Sequence, residues 1–515
     1  MTTHLTSAAL SGLNATLVEV EIDLGGGPRA FKTVGLPERT VRETEERVMS
    51  ALRNSGYQLP ACRVTVSLSP ADIRREGNGF DLPIALGLLA AAKVLPQNCF
   101  RGYLIVGELG LDGTVKGVRG APAIASSARE SGICTGLLIS QSNAAEAVVT
   151  GGKPQVFAVE TLRDAADFLQ GLKPIDPEVT DPAKTLSAAS HYDRDFADVK
   201  GQELAKRALE VAAAGLHNVL MIGPPGSGKT MLAKRLPTIL PALTIEEAME
   251  TTRIYSVAGL LGGRALIGTR PFRAPHHTIS DVGLVGGGVN PQPGEMSLAH
   301  NGVLFLDELP EFKKNVLECL RQPLEDRHIV ITRISDSAIF PASFMFVGAM
   351  NACACSARGN PNQHCSCTPS MIRRYRSRVS EPLLDRIDIH MEIPFVKYED
   401  LAEQHRAESS DAIRSRVIQA RAFQVERFRT RTFFCNASIP SRDLHTFCRI
   451  DSAGERLLEL AVNRFGLSGR AYSRVLKVAR TIADLDGGGP IEAHHVSEAL
   501  QYRLLDRTAQ FGASI

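Results

Sequence analysis

An octapeptide near the middle of the chain has the residue types of a phosphate-binding loop. It reads Gly223-Pro-Pro-Gly-Ser-Gly-Lys-Thr230, follows the apolar run HNVLMI and precedes the helix-like run MLAKRLPTIL. Glycines let backbone N–H groups converge on phosphate oxygens, and the start of the following helix adds partial positive charge. The pattern therefore predicts that Lys229 reaches the β- and γ-phosphates of ATP and that the Thr230 hydroxyl binds Mg²⁺. The predicted nucleotide-binding residues are Gly223, Pro224, Pro225, Gly226, Ser227, Gly228, Lys229, Thr230 and, from the next motif, Asp307.

Two carboxylates end a second apolar run, Val303-Leu-Phe-Leu-Asp307-Glu308. A parallel strand buried on both faces would present them at its C-terminal end, where α/β sheets bind ligands. We expect Asp307 in the Mg²⁺ shell and Glu308 as the group that polarises the attacking water. A third apolar run ends at Met350 and places Asn351 where an amide orients that water or senses the γ-phosphate. The alternatives are an exposed acidic turn for the carboxylates and an ordinary turn residue for Asn351.

Two cysteine pairs, Cys353-Ala-Cys355 and Cys365-Ser-Cys367, lie on either side of the segment SARGNPNQH. Four thiols at this spacing can supply the closed tetrahedral shell of a structural Zn²⁺. Because the intervals are C-x-C rather than the commoner C-x₂-C, ordinary reduced cysteines remain the alternative, and His364 is a possible substitute ligand. The other cysteines are scattered singly, as core residues are.

Four arginines follow within six residues: Arg373, Arg374, Arg376 and Arg378. Such a cluster predicts contacts to a nucleic-acid phosphate backbone, which the family resemblance described below would place inside a ring pore, and an inter-subunit ion-pair surface is the alternative. The pair His276-His277 is either a second metal site or, as we expect after Ala-Pro, a pair that hydrogen-bonds within its own loop.

The elements that must position these residues divide the chain into three regions. Strand-like and helix-like segments alternate over residues 1–172, and a stretch rich in Pro, Ala and Ser at 173–194 predicts a linker. An α/β domain with the cysteine loop at 353–367 is expected over 195–395, and a helical lid over 396–515. The predicted strands before the linker are 13–24, 62–70 and a hairpin-like 103–113, and the predicted helices there are 38–56, 80–95 and 121–132. The predicted lid helices are 401–428, 452–466, 468–485 and 492–505.

Composition narrows the class of protein. With 515 residues, 44% hydrophobic and 22% charged, the chain is expected to be soluble, globular and multidomain. A net charge of +2 argues against a uniformly basic coat and leaves a local basic surface open. The absence of Trp makes a base-stacking platform less expected than a groove that follows the nucleic-acid backbone. We read no export signal and no membrane span, and therefore predict a cytoplasmic protein with reduced cysteines.

Longer motifs carry a family resemblance. With Asp198-Val-Lys-Gly-Gln202 ahead of the loop, the motifs above resemble AAA+ ATPases. The segments RPFRAPHHTIS (270–280), PGEMSLAHNGVLFLDELPEF (293–312), LRQPLED (320–326) and LLDRIDIHMEIP (383–394) are similar to the magnesium-chelatase-like branch. More narrowly, the chain resembles the ComM/YifB family from GLPERTVRETEERVMSAL (35–52) to its helical end. The family usually has Asn-Pro-Cys-Pro-Cys-Gly where this chain has Asn-Ala-Cys-Ala-Cys-Ser, which puts the turn geometry of the cysteine loop in doubt.

The resemblance implies a homo-hexameric ring that moves on single-stranded and branched DNA and migrates branches while transforming DNA is integrated, in company with recombination proteins. It implies that Arg386 is the finger completing a neighbour's ATP site, and that Arg470 is the lid arginine sensing nucleotide in its own chain, with Arg474 as the substitute. A surface salt bridge is the alternative for both.

The first region resembles the Lon-protease-like domain of this family and of RadA recombination ATPases. In proteolytic Lon domains a Ser in a Gly-Pro-Ser-Ala-Gly turn pairs with a later Lys. The matching turn at 75–83 has no Ser, and Pro122 stands where the Lys would be, although Lys116 is close and the register is open. Without a nucleophile no acyl chemistry follows, so a non-proteolytic scaffold or DNA guide is predicted. The candidates to face DNA, or to be solvated loop charges, are Arg63, Arg74, Arg75, Lys116 and Arg119.

The function expected from these features is an ATP-driven DNA motor with Mg²⁺ and Zn²⁺ as cofactors. An ATPase that remodels a protein partner, as the magnesium-chelatase ATPase subunit does, is the first alternative. An ATP-dependent protease and a scaffold that only binds nucleotide are the others.

Overall fold

The structure is a computed structural model that describes residues 2–28, 30–35, 38–60, 62–70, 79–288, 291–332, 337–359, 363–396 and 407–503. A mixed sheet, a parallel sheet and a helical region follow one another along the chain, which confirms the predicted α/β class with a helical C-terminal part. Arg74 and Arg75 lie outside the described residues, as do residues 76–78 of the Lon-like turn at 75–83. None of the helices in the described ranges has both the length and the apolar character needed to cross a bilayer.

The described residues before the predicted linker form nine strands and five helices. The strands are β1 (Thr2–Ser11), β2 (Asn14–Gly25), β3 (Ala30–Val34), β4 (Arg63–Ser69), β5 (Tyr103–Ile105), β6 (Glu108–Leu109), β7 (Val115–Lys116), β8 (Gly136–Ser140) and β9 (Gln155–Val159). The helices are α1 (Glu38–Asn54), α2 (Asp81–Ala91), α3 (Ala121–Ser131), α4 (Gln141–Val148) and α5 (Leu162–Leu169). Seven strands form one sheet in the order β3-β4-β2-β1-β5-β8-β9, and β6 pairs only with β7.

The first strand is an element that the sequence analysis did not predict. Thr3, Leu5 and Ser7 point inward at every second position, and the strand pairs antiparallel with β2 from Thr2↔Asp23 to Ser11↔Asn14. The two-residue turn between them places Gly12 at φ +59°, a conformation that glycine adopts without strain. Two of the three inward residues are polar, so the apolar alternation that reveals strands was weak here. The predicted strand at 103–113 is divided between β5 in the main sheet and the separate β6–β7 hairpin.

Helix α2 confirms the predicted buried helix, and all of its residues are buried. It approaches the sheet so closely that a Cβ at Gly87 would lie 2.4 Å from Ile22 Cδ1 and 2.8 Å from Leu5 Cδ2. Only glycine fits there, because a methyl group would displace both side chains. The predicted strand at 62–70 and the predicted helices at 38–56 and 121–132 are also confirmed within a few residues.

The segment predicted as a linker contains helix α6 (Pro182–Ala189). Asp181 caps it by accepting hydrogen bonds from the N–H groups of Ala183 and Lys184, and Pro182 occupies the first turn. After the helix, Ser190 Oγ donates to Gly268 O and Tyr192 Oη accepts from Arg270 N. The segment is thereby fastened to the α/β region that follows.

The described residues of that region form a five-stranded sheet, further short strands and nine helices. Its strands are β10 (Val219–Ile222), β11 (Phe272–Arg273), β12 (Gly286–Gly287), β13 (Gln292–Pro293), β14 (Val303–Leu306), β15 (His328–Thr332), β16 (Ser337–Pro341), β17 (Met345–Met350) and β18 (Ile389–Glu392). Its helices are α7 (Glu203–Gly215), α8 (Lys229–Ile239), α9 (Ile245–Val257), α10 (Asp281–Val285), α11 (Glu295–Leu298), α12 (Lys314–Glu318), α13 (Pro323–Asp326), α14 (Pro369–Arg376) and α15 (Glu381–Leu384).

The five-stranded sheet is parallel throughout, in the order β11-β14-β17-β10-β18. Every residue of β10, β14 and β17 is buried, which explains why these strands are continuous apolar runs in the sequence. Because Ile222 pairs with Met350 and Leu306 pairs with Gly348, the residues after all three strands meet at one edge.

The helical C-terminal region contains α16 (Ser410–Arg427), α17 (Leu444–Phe447), α18 (Ser452–Phe465), α19 (Gly469–Leu485) and α20 (Ala493–Gln501). The four predicted lid helices are thus confirmed, with the first beginning at Ser410 behind its cap Ser409; residues 401–406 and 504–505 lie outside the described part. Helix α19 packs on α7 and α16 in a common apolar core with the sheet.

Candidate functional site

The loop between β10 and α8 surrounds the ammonium group of Lys229, the first residue of α8. Lys229 Nζ donates to the carbonyl oxygens of Gly223 and Pro224, both at 2.8 Å, and lies 3.5 Å from Asn351 Oδ1. Gly226 and Gly228 have φ of +77° and +91°, so the bend requires glycine at both positions. Burial lowers the pKa of Lys229, and the charges of Asp307 and Glu308 oppose that shift. A buried ammonium whose partners are two backbone carbonyl oxygens and one amide oxygen is suited to exchanging them for phosphate oxygens.

Thr230 and Asp307 meet at the edge where the strands end. Thr230 Oγ1 donates to Asp307 Oδ2 at 2.7 Å. Oxygen ligands from a hydroxyl and a carboxylate are what Mg²⁺ prefers, and a nucleotide site needs few of them because the phosphates supply the rest. These two residues therefore fit a magnesium ion bound together with phosphates.

Glu308 follows Asp307 and points away from it. Its φ is +52°, its backbone N–H donates to Asp307 Oδ1 at 2.9 Å, and its side chain is 59% exposed. Its side chain faces His277, whose Nδ1 lies 3.5 Å from Glu308 Oε2. No sequence motif links His277 to Glu308. The contact could have been expected only from the sheet order, because His277 comes soon after β11 and Glu308 soon after its neighbour β14.

The adjacent histidine behaves as expected. His276 Nδ1 lies 2.9 Å from Thr278 Oγ1, so it hydrogen-bonds inside its own loop. Among the described residues, no metal-like group of side chains includes either member of this pair.

Asn351 connects the phosphate loop to the cysteine loop. Its Nδ2 donates to Ser356 Oγ at 3.0 Å, while its Oδ1 faces Lys229. Across the same boundary, a Cβ placed on Gly359 would lie 3.4 Å from Pro224 Cδ. The cysteine loop thus borders the nucleotide-binding residues directly.

The four predicted zinc ligands, Cys353, Cys355, Cys365 and Cys367, converge with all sulfur atoms within 4.8 Å of one another. The sulfur–sulfur distances are 3.3 Å for Cys353–Cys355 and 3.6 Å from Cys365 to each of them. A tetrahedron with Zn–S bonds of about 2.3 Å has sulfur–sulfur edges of roughly 3.8 Å, and a disulfide has about 2.05 Å. The four thiols therefore fit a zinc ion. His364 is exposed and outside the group.

The thiols of the cysteine group differ in pKa. A backbone hydrogen bond at Ala357 lowers the pKa of Cys355 to about 6, whereas burial raises the pKa of Cys353 to about 12.

The arginine cluster begins at Arg373, six residues after Cys367, and lies on and just after α14. Thr368 caps this helix by accepting from Met371 N, and Pro369 occupies its first turn. Arg373, Arg374 and Arg378 are exposed. Arg376 is half-buried, and burial together with the nearby charge of Arg358 lowers its pKa. Arg378 Nη1 also contacts Glu311 Oε1 at 2.7 Å.

Three arginines predicted as finger or lid arginines have different surroundings. Arg386 is 11% exposed; its Nη2 lies 2.7 Å from Glu325 Oε1 and its Nη1 donates to Pro382 O. Arg470 is 65% exposed and lies 3.5 Å from Asp385. Arg474 contacts Asp388, which is buried. No hydrogen bond joins Arg386 or Arg470 to residues 223–230, all of which the structure describes.

Comparisons with known proteins place this site in a family. "Subunit ChlI of Mg-chelatase" matches residues 20–143, "Magnesium chelatase, subunit ChlI" matches 195–401, and "Magnesium chelatase, subunit ChlI C-terminal" matches 407–503. The chain is 44% identical over 509 residues to the competence protein ComM of Haemophilus influenzae, covering 98% of both chains. It is 43% identical over 504 residues to the protein YifB of Escherichia coli, covering 98% of this chain and 97% of that one.

This chain belongs to the ComM/YifB family of magnesium-chelatase-like proteins. Its AAA+ architecture is that of a nucleotide-driven ATPase family. A more distant relative, the magnesium-chelatase 67 kDa subunit of Chlorobaculum parvum, is 31% identical over 157 residues, covering 30% of this chain and 22% of that one.

The N-terminal sheet of this ComM/YifB member is fastened to the ATPase region through a buried carboxylate. Ser256 Oγ in α9 donates to Glu146 Oε2 at 2.7 Å and accepts from Gly120 N at 3.1 Å. Arg119, a candidate to face DNA, is exposed and lies beside Gly259 in the loop after α9. Arg63 and Lys116 are exposed, and Pro122 lies in the first turn of α3.

Proposed function

We propose that this chain hydrolyses ATP at the edge where β10, β14 and β17 end, and uses the energy to move on DNA. The observation that carries the ATPase part is the contact network of Lys229 with Asn351 and of Thr230 with Asp307. These contacts bring three separate sequence motifs to one point. An accidental Gly-Lys-Thr turn would have no reason to meet an Asp and an Asn from two other strands.

In the proposed reaction, Glu308 accepts a proton from the water whose oxygen attacks the γ-phosphorus, as the bond from that phosphorus to the bridging oxygen breaks. Lys229 holds the β- and γ-phosphates, and Asn351 orients the water or the γ-phosphate. Thr230 and Asp307 would hold Mg²⁺, which neutralises charge on the phosphate oxygens. Glu308 must rotate away from His277 before it can accept the proton, because the pair now points it outward.

The active assembly is proposed to be a homo-hexameric ring. Arg386 would stabilise the transferring γ-phosphoryl group of a neighbouring subunit, and Arg470 would contact nucleotide in its own chain. Support comes from their positions: both are held near carboxylates of their own chain, away from the phosphate loop. A second subunit or a lid movement is then needed to complete the site.

DNA is the proposed track. The exposed arginines of the cluster provide phosphate-backbone contacts, and the cysteine group would staple the adjacent loop when zinc is bound. The relative in Haemophilus influenzae is named a competence protein. We accordingly propose translocation on single-stranded and branched DNA and branch migration while transforming DNA is integrated, together with recombination proteins.

The test is ATP turnover of the full chain with and without single-stranded or four-way-junction DNA. We expect DNA to stimulate turnover, and Glu308→Gln to reduce it by about 10²-fold or more while nucleotide still binds, since a positioned base contributes 10²–10⁴-fold. Stimulation that survives in Glu308→Gln would exclude this site as its source.

Remodelling of a protein partner is the second candidate, favoured by the magnesium-chelatase descriptions that match all three regions. The same assay separates the two functions. Turnover that depends on Glu308 but ignores every DNA structure would favour the protein-remodelling function.

A further inference from the structure

Ser356 has an unusual backbone conformation inside the cysteine loop. Its φ is +62°, in the left-handed region where residues other than Gly, Asn and Asp are uncommon. Its N–H donates to Cys353 O at 3.1 Å, so the turn that imposes this φ begins at a predicted zinc ligand. The side chain of Ser356 is therefore placed by the geometry of the cysteine group.

That side chain fixes the orientation of the Asn351 amide. Lys229 Nζ can only donate hydrogen bonds, so the Asn351 group facing it has to be Oδ1. The Nδ2 then faces Ser356 Oγ, which accepts its hydrogen bond at 3.0 Å. If the amide were reversed, two donors would face each other at Lys229.

We propose that Ser356 is a positioning residue that makes the cysteine loop part of the ATPase machinery. It holds Asn351 in the orientation that the phosphate site uses, and through the Cys353 turn it couples zinc in the loop to nucleotide in the site. The inference rests on the proposed ATPase and zinc sites. It adds that binding of zinc and binding of nucleotide are coupled within one chain.

Coupling of this kind is reciprocal by thermodynamic necessity. If zinc stabilises the loop that orients Asn351, nucleotide must in turn stabilise the loop that holds zinc. Gly359 also lies beside the phosphate loop, since a Cβ placed on it would be 3.4 Å from Pro224 Cδ, so a movement of the phosphate loop would reach the backbone of the cysteine loop. Zinc retention therefore reports on the nucleotide site without any turnover.

The first measurement is steady-state ATP turnover of full-length Ser356→Gly, which suits the positive φ but removes the acceptor. We expect kcat to fall about fivefold with KM for ATP nearly unchanged, since an orienting contact acts on the transition state more than on binding. Ser356→Asn should restore kcat, because Asn tolerates this φ and offers an acceptor oxygen. Lys93→Gly is the matched control, since Lys93 also has φ +62° but lies far along the chain in the N-terminal sheet region.

The second measurement is the rate at which zinc passes from the protein to a colorimetric chelator, with and without a non-hydrolysable ATP analogue. We expect the analogue to slow zinc release about fivefold in the wild type and to have no effect in Ser356→Gly. Ser356→Ala supplies the same comparison if Ser356→Gly fails to fold.

Equal kcat in wild type and Ser356→Gly, or zinc release that ignores nucleotide in the wild type, would overturn the coupling. Those results differ from a failure of the proposed function, in which the wild type itself would not hydrolyse ATP. A wild-type chain that holds no zinc would overturn the coupling together with the zinc site.

Discussion

The two halves of the proposed catalytic site differ in how completely one chain builds them. Lys229, Thr230, Asp307 and Asn351 already contact one another across three motifs. Arg386 and Arg470 contact carboxylates of their own chain instead, namely Glu325 and Asp385. The first half needs only nucleotide, whereas the second must be released and brought to a phosphate. Nucleotide binding and catalysis are therefore expected to respond differently to mutation.

Removal of Arg386, the proposed arginine finger, has the largest expected effect on ATP turnover. Arg386→Ala should reduce ATP turnover by about 10³-fold, the lower bound for a missing arginine finger, while ATP still binds to the intact phosphate loop. Turnover and binding of a fluorescent nucleotide measure the two halves separately. The matched control is Glu325→Gln, which frees Arg386 and should keep turnover within about threefold of the wild type.

A ring measurement sharpens this prediction. Mixing Arg386→Ala with Glu308→Gln subunits should restore activity above that of either variant, because some neighbouring pairs then contain both residues. An Arg386→Ala variant with full turnover would show that Arg386 is an internal salt-bridge residue and that a different group completes the site.

Arg470 and Arg474 lie one helical turn apart in α19 and are expected to contribute differently to the free energy of unfolding. Arg474 contacts buried Asp388, so Arg474→Ala leaves that buried carboxylate with only His217 and the Asn218 N–H as partners, at a cost of about 3 kcal/mol. Arg470→Ala should change stability by at most about 1 kcal/mol, because its pair is exposed, yet reduce turnover. Chemical unfolding and ATP turnover of both variants provide the measurement.

The stability loss should depend on pH in a definite direction. Burial alone would raise the pKa of Asp388, but the charges of Arg474 and His217 hold it well below the usual range. In the wild type the pair therefore stabilises the fold above the unfolded pKa of about 4, and acid removes this only below the usual Asp range. In Arg474→Ala only His217 and the Asn218 N–H still oppose the effect of burial, so the pKa of Asp388 is higher than in the wild type and the deficit should be smaller in acid than near neutral pH. A deficit that does not change with pH would mean that Arg474 acts through packing.

The same contrast explains how much the sequence could predict. The phosphate loop and the three strands beside it could be predicted from the sequence. Buried parallel strands are uninterrupted apolar runs, and each run ends at the residues that the strand positions. Strand β1 was missed because polar Thr3 and Ser7 point into the core. The helix inside the predicted linker was missed because only its cap Asp181 and Pro182 signal it.

Contacts between residues far apart in the sequence could not be predicted from sequence patterns. No periodicity relates His277 to Glu308, or Ser356 to Asn351, since each contact depends on which strands lie side by side. The roles of Arg386 and Arg470 came from resemblance alone, and they stay predictions because they depend on a second subunit or on bound nucleotide. The cysteine group was predicted from spacing, and its sulfur geometry supports that set of ligands.

The smallest expected effect concerns the contact that now turns Glu308 outward. His277→Ala should raise basal turnover about two- to fivefold, because a partly exposed pair of roughly 0.5–1 kcal/mol no longer competes with the water-facing orientation of Glu308. His276→Ala is the matched control, since His276 stacks on His277 and contacts Thr278 but not Glu308. ATP turnover at saturating nucleotide is the measurement. Equal rises in both variants would assign the effect to the loop as a whole, and a fall in His277→Ala alone would make the imidazole a helper of Glu308 instead of its restraint.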